Sequence, residues 1–569
     1  MKMKKIFFVT AACLIIFSPL LAENNFSFAR KYEPVIITGD QISELIGEKP
    51  SQIFGFVYIA SEKRWKQIPL QVDERVLFDT SVKSKHPASD LLYVSDVPGK
   101  YGSMTMSDDN PNFDSNDEVV FMLEDAGNKA PHPDESWAAD TEMHRVEIAI
   151  SDPLDGGAKG YVYIFLSKTL RYTAGDEVSY SIVAPESEQA TDIETDYYFV
   201  KYSRRWVLDE IRPKSALGGD NTDLVDRVKF RAYSRTPQNE TEDIWSDGPG
   251  DCFMYDAGCS HYVGHKVGPV RAIRQVQGAA SGPTTSYFSL FYRKMMTMQV
   301  NYRVHALPDL WFYMDYSKNI GEIKYYDEHN SNVKLDGQPE NLQGNTPSSW
   351  SQASSGKGSL VLWVDIRQFA SLPGCDVNSY YLDNSSFSDF TGEDNNAIGN
   401  HGVHIEEIPD TDQREAVISH IRLFMLPPNA DNRGKEFDNV NWQAVTTSST
   451  KQITTVTPPT AVSEGELEIV NSFQLSPAYP NPFSNSVNTA SKSTIIQFNV
   501  PSPTAVQVYV FDIQGRRVRT LFHGMSDAGL QKMEWNGTDE MNRPLASGVY
   551  YIEVRTANKH QMMPVTIIK

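Results

Sequence analysis

The sequence predicts a mainly β protein: two antiparallel β-rich, sandwich-like domains followed by a third, smaller sandwich. Three observations predict it. Short runs of β-branched and aromatic residues recur along the whole chain. Turn-forming Gly, Pro, Asn and Asp separate them, with 35 Gly and 32 Pro in all. No long stretch carries the 3.6-residue apolar period of a helix. At 569 residues the chain is too long for one compact core. Its 40% hydrophobic and 22% charged content is that of ordinary globular material.

The N-terminus comes first. Lys2, Lys4 and Lys5 precede the apolar run Ile6 to Phe17, and Pro19-Leu-Leu-Ala22 leads into Glu23. This is the pattern of a secretory signal peptide cleaved after Ala22, so residues 1–22 are expected to leave the mature chain. Two rival readings are an uncleaved anchor and a lipoprotein cysteine at Cys13, for which Thr10-Ala-Ala is a poor approach. No other apolar stretch is long enough to cross a bilayer as a helix, so no membrane span is expected in the mature chain. The formal charge is −21, and losing three lysines makes the mature chain more acidic still. That disfavours nucleic acid as a partner.

Residues 23–185 read as the first β-rich domain, with strands at "PVIITG", "QIFGFVYIA", "WKQIPLQVDERVLF", "EVVFMLED", "HRVEIAI" and "GYVYIFL". "DQISELIGEKP" is expected to hold one helical turn, capped by Asp40 and ended by Pro50. Residues 186–445 read as a larger β-sandwich domain, from "DYYFVKYS" to "EAVISHIRLFML". Residues 446–472, "VTTSSTKQITTVTPPTAVSEGELE" and its flanks, read as an extended Ser/Thr/Pro linker.

Residues 473–569 hold five to seven short strands, which fits an immunoglobulin-like sandwich. "STIIQFNVP" is a strand ended by Pro501, and Val506, Val508 and Val510 alternate with Gln507, Tyr509 and Phe511. The ordered motifs are Tyr479-Pro-Asn-Pro-Phe483, Val510-Phe-Asp512 with Gly515-Arg-Arg-Val518, Trp535-Asn-Gly537 with Asp539, Ala546-Ser-Gly-Val-Tyr-Tyr551, and a terminal strand ending Ile567-Ile-Lys569. On these residues the segment resembles the C-terminal sorting domain of the type IX secretion system and the related immunoglobulin-like domain of flagellar hook-capping proteins. The resemblance implies an exported chain whose partner, through residues 473–569, is secretion machinery, and which ends at the cell surface or outside the cell.

Candidate sites are sparse. Asp108, Asn110, Asn112, Asp114 and Asn116 recur at every second position in "SDDNPNFDSNDE", and Glu118 follows. Oxygen ligands so spaced suit calcium. Phe113, however, stands where such loops need Gly, and Val119 occupies the twelfth position. The competing reading is a polar Asx-rich turn before a strand. A second acidic run carries Asp383, Asp389, Glu393 and Asp394. Cys252 and Cys259 are expected to close a disulfide loop, which leaves Cys375 without an assigned role.

No nucleophile elbow, metalloprotease helix or phosphate loop is present, and no catalytic residue is assigned. The preferred reading is an exported binding or structural protein whose partner is a polysaccharide or another surface protein. The alternative is a secreted polysaccharide lyase or hydrolase with its site in residues 186–445. There Arg271, Arg274, Arg293, Arg303 and His305, with Tyr287, Tyr292, Tyr302 and Trp311, would line one face of a sheet.

Overall fold

The structure is a computed structural model. It describes residues 25–79, 89–95, 97–98, 110–172, 178–182, 190–203, 208–233, 261–278, 285–302, 307–344, 346–365, 367–388, 396–409, 417–459, 474–479, 481–484, 493–500, 504–526, 529–541, 543–556 and 560–568. The expected signal peptide lies outside these residues, as do Asp108, Cys252, Cys259 and residues 460–472 of the expected linker. Two compact units divide the chain, residues 1–458 and 459–569.

In the first unit four β layers stack on three cores. The outermost is a five-stranded sheet in the order Thr446–Ile453, His144–Ser151, Lys159–Leu166, Ile53–Ile59 and Arg64–Ile68. A three-stranded sheet of Pro34–Thr38, Glu118–Met122 and Gln71–Asp73 faces it. Between them pack Val35, Ile37, Val119, Phe121, Val146, Ile148 and Ile164. The third layer is a ten-stranded sheet running from Val333–Leu335 to Val97–Pro98. The fourth has eight strands, from Val178–Ile182 to Asp376–Ser388. Among the described residues every strand pair of this unit is antiparallel.

Two strands explain why the layers hold together. In Glu118–Met122 every residue is buried. Val119 and Phe121 face the first core, while Val120 and Met122 join Ile273, Phe288, Trp363 and Phe424 in a second. Val417–Leu426 behaves likewise: Leu423 and Met425 enter the core shared with the eight-stranded sheet, and Phe424 and Leu426 point the other way. Strands covered on both faces read as continuous apolar runs. The helix Gly434–Trp442 closes the second core by packing Phe437 on Tyr32 and Phe424, with ring centroids 5.2 and 4.3 Å apart. Arg30 is fully buried beside it, bound to Asp152 at 2.7 Å and to the carbonyls of Val440 and Gln443.

Three boundaries differ from the sequence reading. Val178–Ile182 pairs with Thr191–Thr195, so the second sheet system begins before residue 186. Residues 23–185 and 186–445 share the second core and form one unit. The first eight residues of the expected linker are an edge strand paired with His144–Ser151. A side-chain hook explains that docking. The guanidinium of Arg145 lies 4.8–5.9 Å from the ring centroids of Trp65, Trp137, Tyr163 and Phe165. Its Nε donates to Gln452 Oε1 at 2.8 Å. Burial pulls the Arg145 pKa down to about 10. In the segment 40–50 the single turn becomes short 3-10 turns at Gly39–Gln41 and Ser43–Leu45. Thr38, not Asp40, caps the first, and Pro50 opens a third turn.

The second unit is a sandwich of a three-stranded sheet (Gln474–Tyr479, Thr494–Val500, Gly529–Trp535) and a five-stranded one. The latter runs Phe483–Ser484, His560–Ile568, Gly548–Thr556, Thr504–Asp512, Arg517–Ser526. Val506, Val508, Val510, Ile552, Val554, Val565 and Ile567 fill its core, as the period-two pattern predicts.

His401 is buried between Tyr316 OH, 3.1 Å from its Nε2, and Ser351 Oγ, 2.6 Å from its Nδ1. Burial pushes its pKa down to about 3. A depressed histidine adds stability that is complete above its unfolded pKa and lost as pH falls toward the folded value. Urea denaturation of the first unit should therefore show stability falling from about pH 6.5 toward pH 4, by about 1.4 kcal/mol per pH unit for this one group. His401→Gln should flatten the slope.

Candidate functional site

The acidic loop is placed by its one apolar member. Phe113 is fully buried in the first core, and its N–H and carbonyl bond Glu48 O and Gly47 N at 2.8 Å. This anchors the loop where a calcium loop would need a free glycine. Around it the carboxylates accept backbone N–H groups: Asp117 from Asp114 and Arg75, and Asp114 from Asn116, at 2.8–2.9 Å. Asn110 Oδ1 accepts from Asn112 N. Glu118 points elsewhere, into the protein interior. The described members of the set thus form a chain of Asx turns, and Glu118 is not brought to them.

Glu118 belongs instead to a buried ionic cluster. Arg271, fully buried, donates to Asp73 Oδ2 at 2.9 Å and to Glu118 Oε2 at 2.5 Å, and its Nη1 reaches Tyr292 OH at 3.0 Å. Lys266 adds a 3.2 Å contact to Asp73, and Arg75 a 2.7 Å contact to Glu118. Gln71 completes the frame: its Nε2 donates to Asp73 Oδ1, and its Oε1 accepts the N–H groups of Val270 and Arg271. Gly268 permits this approach, because a Cβ there would lie 2.4 Å from the Gln71 amide. Burial raises the Asp73 pKa, but Arg271 and Lys266 outweigh it and hold the carboxyl below its ordinary value. Both carboxylates of the cluster are thus engaged by cations of the protein itself.

The basic and aromatic set proposed for sugar binding does not line a groove. Arg271, Arg274, Tyr287, Tyr292 and Tyr302 are buried at 3% exposure or less. Arg274 lies over the rings of Tyr202 and Tyr262 between the two large sheets, and its Nε donates to Thr191. Arg293 pairs with Glu124 at 2.9 Å. Arg303 and His305 lie outside the described residues. Of the described members, Trp311 reaches the outer face of a sheet, opposite His404. Of the second acidic run, Asp383 is described. It accepts the N–H groups of Asp336, Gly337 and Gly399 and meets Asp336 and Glu340, which the sequence reading missed because they lie more than forty residues away. Cys375 carries a free thiol, and burial pushes its pKa up to about 11, which makes it unreactive.

In the C-terminal unit the motif residues build the fold. Asn481 Oδ1 accepts Thr566 N at 2.8 Å and its Nδ2 reaches Pro564 O, pinning the terminal strand. Phe483 packs on Trp535 (5.6 Å), which packs on Tyr550 (5.8 Å), all three within the core. Two turns repeat one device. Asp512 accepts Gln514 N, Arg516 N and Arg516 Nε; Asp539 accepts Met541 N, Arg543 N and Arg543 Nε. The backbone bond from Arg543 is the main cause that holds the Asp539 pKa below its ordinary value. Gly515 takes φ +73° in the first turn.

With this geometry in view, residues 484–560 match the FlgD Ig-like domain family. The C-terminal unit is therefore an immunoglobulin-like module. Comparison with curated proteins gives no match. Among solved structures, the chain is similar to dimeric latent PorU from Porphyromonas gingivalis at 10% identity. That alignment covers 90% of this chain and 42% of that one, with a TM-score of 0.15. It is also similar to PorZ of the same organism, a surface component of the type IX secretion system, at 11% identity over 90% and 73% of the two chains, TM-score 0.14. An Escherichia coli protein with a provisional aldose 1-epimerase assignment aligns at 10% identity over 40% and 96%, TM-score 0.24. Superpositions this loose define no common fold.

Arg271→Met should leave Asp73 and Glu118 buried with only peripheral cations, and should lower the stability of the first unit by about 3 kcal/mol in urea titration. Trp535→Ala should cost the second unit about 3–5 kcal/mol. In a calorimetric scan only the transition of that unit should move.

Proposed function

We propose that this chain is an exported β-protein whose C-terminal immunoglobulin-like unit presents it to a surface-sorting secretion apparatus, and whose large N-terminal unit acts outside the cell as a binding or structural body. The observation that carries the reading is the C-terminal unit itself. It is compact on its own, has its own core, and matches a known immunoglobulin-like family. A module with these properties can be recognised by a partner without involving the rest of the chain. The signal-peptide pattern at the other end supplies the first step of export. What supports a binding or structural role for the large unit is that Arg271 and Arg274, two of the arginines offered for catalysis, are interior and held by partners within the protein.

Deletion of residues 459–569 tests the proposal in a bacterium that carries the secretion apparatus. The truncated protein should fold, accumulate in the periplasm and be missing from the surface and medium, measured by fractionation and by protease accessibility on intact cells. Surface delivery of the truncated form at the normal level would sink the reading.

A further inference from the structure

The outer face of the eight-stranded sheet carries a nitrogen–oxygen donor set that sequence spacing does not reveal. Leu307–Tyr316 contributes Asp309 and Trp311, and Asn396–Ile408 contributes His404 and Glu406. In the antiparallel register Asp309 stands opposite Glu406, and Trp311 opposite His404. The alternate residues Leu310, Phe312, Val403 and Ile405 enter the core, which fixes the other four on the outside. One ligand atom each from Asp309, His404 and Glu406 lie within 4.8 Å of one another. His404 Nε2 is 2.8 Å from Asp309 Oδ1, and its Nδ1 is 4.0 Å from Glu406 Oε2. Side-chain exposures of 20%, 28% and 43% for His404, Asp309 and Glu406 leave the cluster reachable but partly desolvated.

Two features separate this cluster from an ordinary charged surface. The imidazole is stacked on the Trp311 indole, with centroids 4.4 Å apart and planes 9° from parallel, so its nitrogens are held in one orientation. Asn378, on the next strand, donates to Glu406 Oε2 at 2.8 Å and orients that carboxylate. Such supporting contacts fix ligands around metals. The charge arrangement also calls for a cation. Like charges directly opposite on paired strands repel, and Asp376, paired with Glu406 from the far side, puts a third carboxylate in the same row. One imidazolium offsets a single negative charge; a divalent ion offsets two. An imidazole with two carboxylates suits zinc and its neighbours, whereas calcium and magnesium prefer oxygen alone.

We propose that Asp309, His404 and Glu406 bind a divalent transition-metal cation of the zinc class, with the remaining coordination positions open to water or to a ligand from outside the chain. The site is independent of the sorting role of the C-terminal unit.

The test uses the untagged full chain, stripped with EDTA and dialysed, then titrated calorimetrically with zinc chloride near neutral pH. Cobalt chloride supplies a visible-absorption readout, and bands without thiolate charge transfer distinguish this set from cysteine sites. Wild type should bind zinc in the presence of excess magnesium. Affinity should fall at least about tenfold in Asp309→Asn and in His404→Gln. It should be unchanged in Asp336→Asn, in the all-oxygen cluster elsewhere. Metal-free melting curves identify any variant that fails to fold, and the milder Asp309→Asn then decides. Unchanged zinc affinity in a folded Asp309→Asn chain, or no binding by wild type up to about 1 mM zinc, would overturn the proposal.

Discussion

The arrangement of the large unit turns on one buried guanidinium. Arg271 is carried by the ten-stranded sheet system, yet its charge is met by Asp73 and Glu118 from two strands of the three-stranded sheet. Burying a guanidinium carries a large desolvation penalty, which the two carboxylates offset. The two sheets must therefore meet in one register, because a shift of a single residue would turn Glu118 to the opposite face and leave the cation unpaired. The apolar residues of the same strand support that register: Val120 and Met122 share Glu118's face and pack on the ten-stranded sheet, while Val119 and Phe121 fill the core behind. Ionic and hydrophobic demands agree.

This doubly covered strand accounts for the single compact unit. A sandwich with one wet face can separate from its neighbour, but a layer that contributes to two cores cannot leave either without exposing apolar surface. Arg30 and Arg145 repeat the solution at the periphery. Arg30 joins the chain start to the end of the helix Gly434–Trp442, and Arg145, in its aromatic box, holds the strand Thr446–Ile453 through Gln452. The body is thus closed by residues from both of its ends. The C-terminal unit follows a simpler plan, one core between two sheets, with Asp512 and Asp539 stabilising two polar turns by the same hydrogen bonds.

Strands were legible in the sequence wherever one face is dry. Val506, Val508 and Val510 alternate with more polar neighbours because only one side of that strand is covered, and the C-terminal sandwich follows from it. The sign of a face was not legible in the middle of the chain. Arg271, Arg274, Tyr287 and Tyr302 are of residue types common at surfaces, yet they lie inside, because the sheet that holds them is covered on both sides and meets its polar groups with buried partners. The acidic loop shows the same limit. Spacing placed Glu118 with Asp114 and Asn116, whereas burial of Phe113 and the pull of Arg271 divide them. The strand at 446–453 was hidden by its Ser and Thr content, since an edge strand needs backbone partners more than apolar side chains.

By itself the sequence determined the mainly β class, the antiparallel strands and the immunoglobulin-like C-terminal unit, because these depend on local alternation and turn chemistry within a few tens of residues. Tertiary structure alone decided that the first two β regions are one body, which charges are buried, and that Asp309, His404 and Glu406 meet. The reason is sequence separation. Asp73 and Arg271 are 198 positions apart, and Asp309 and His404 are 95 apart. Only the pairing of distant strands brings such residues within hydrogen-bonding distance, and no period along the chain records it.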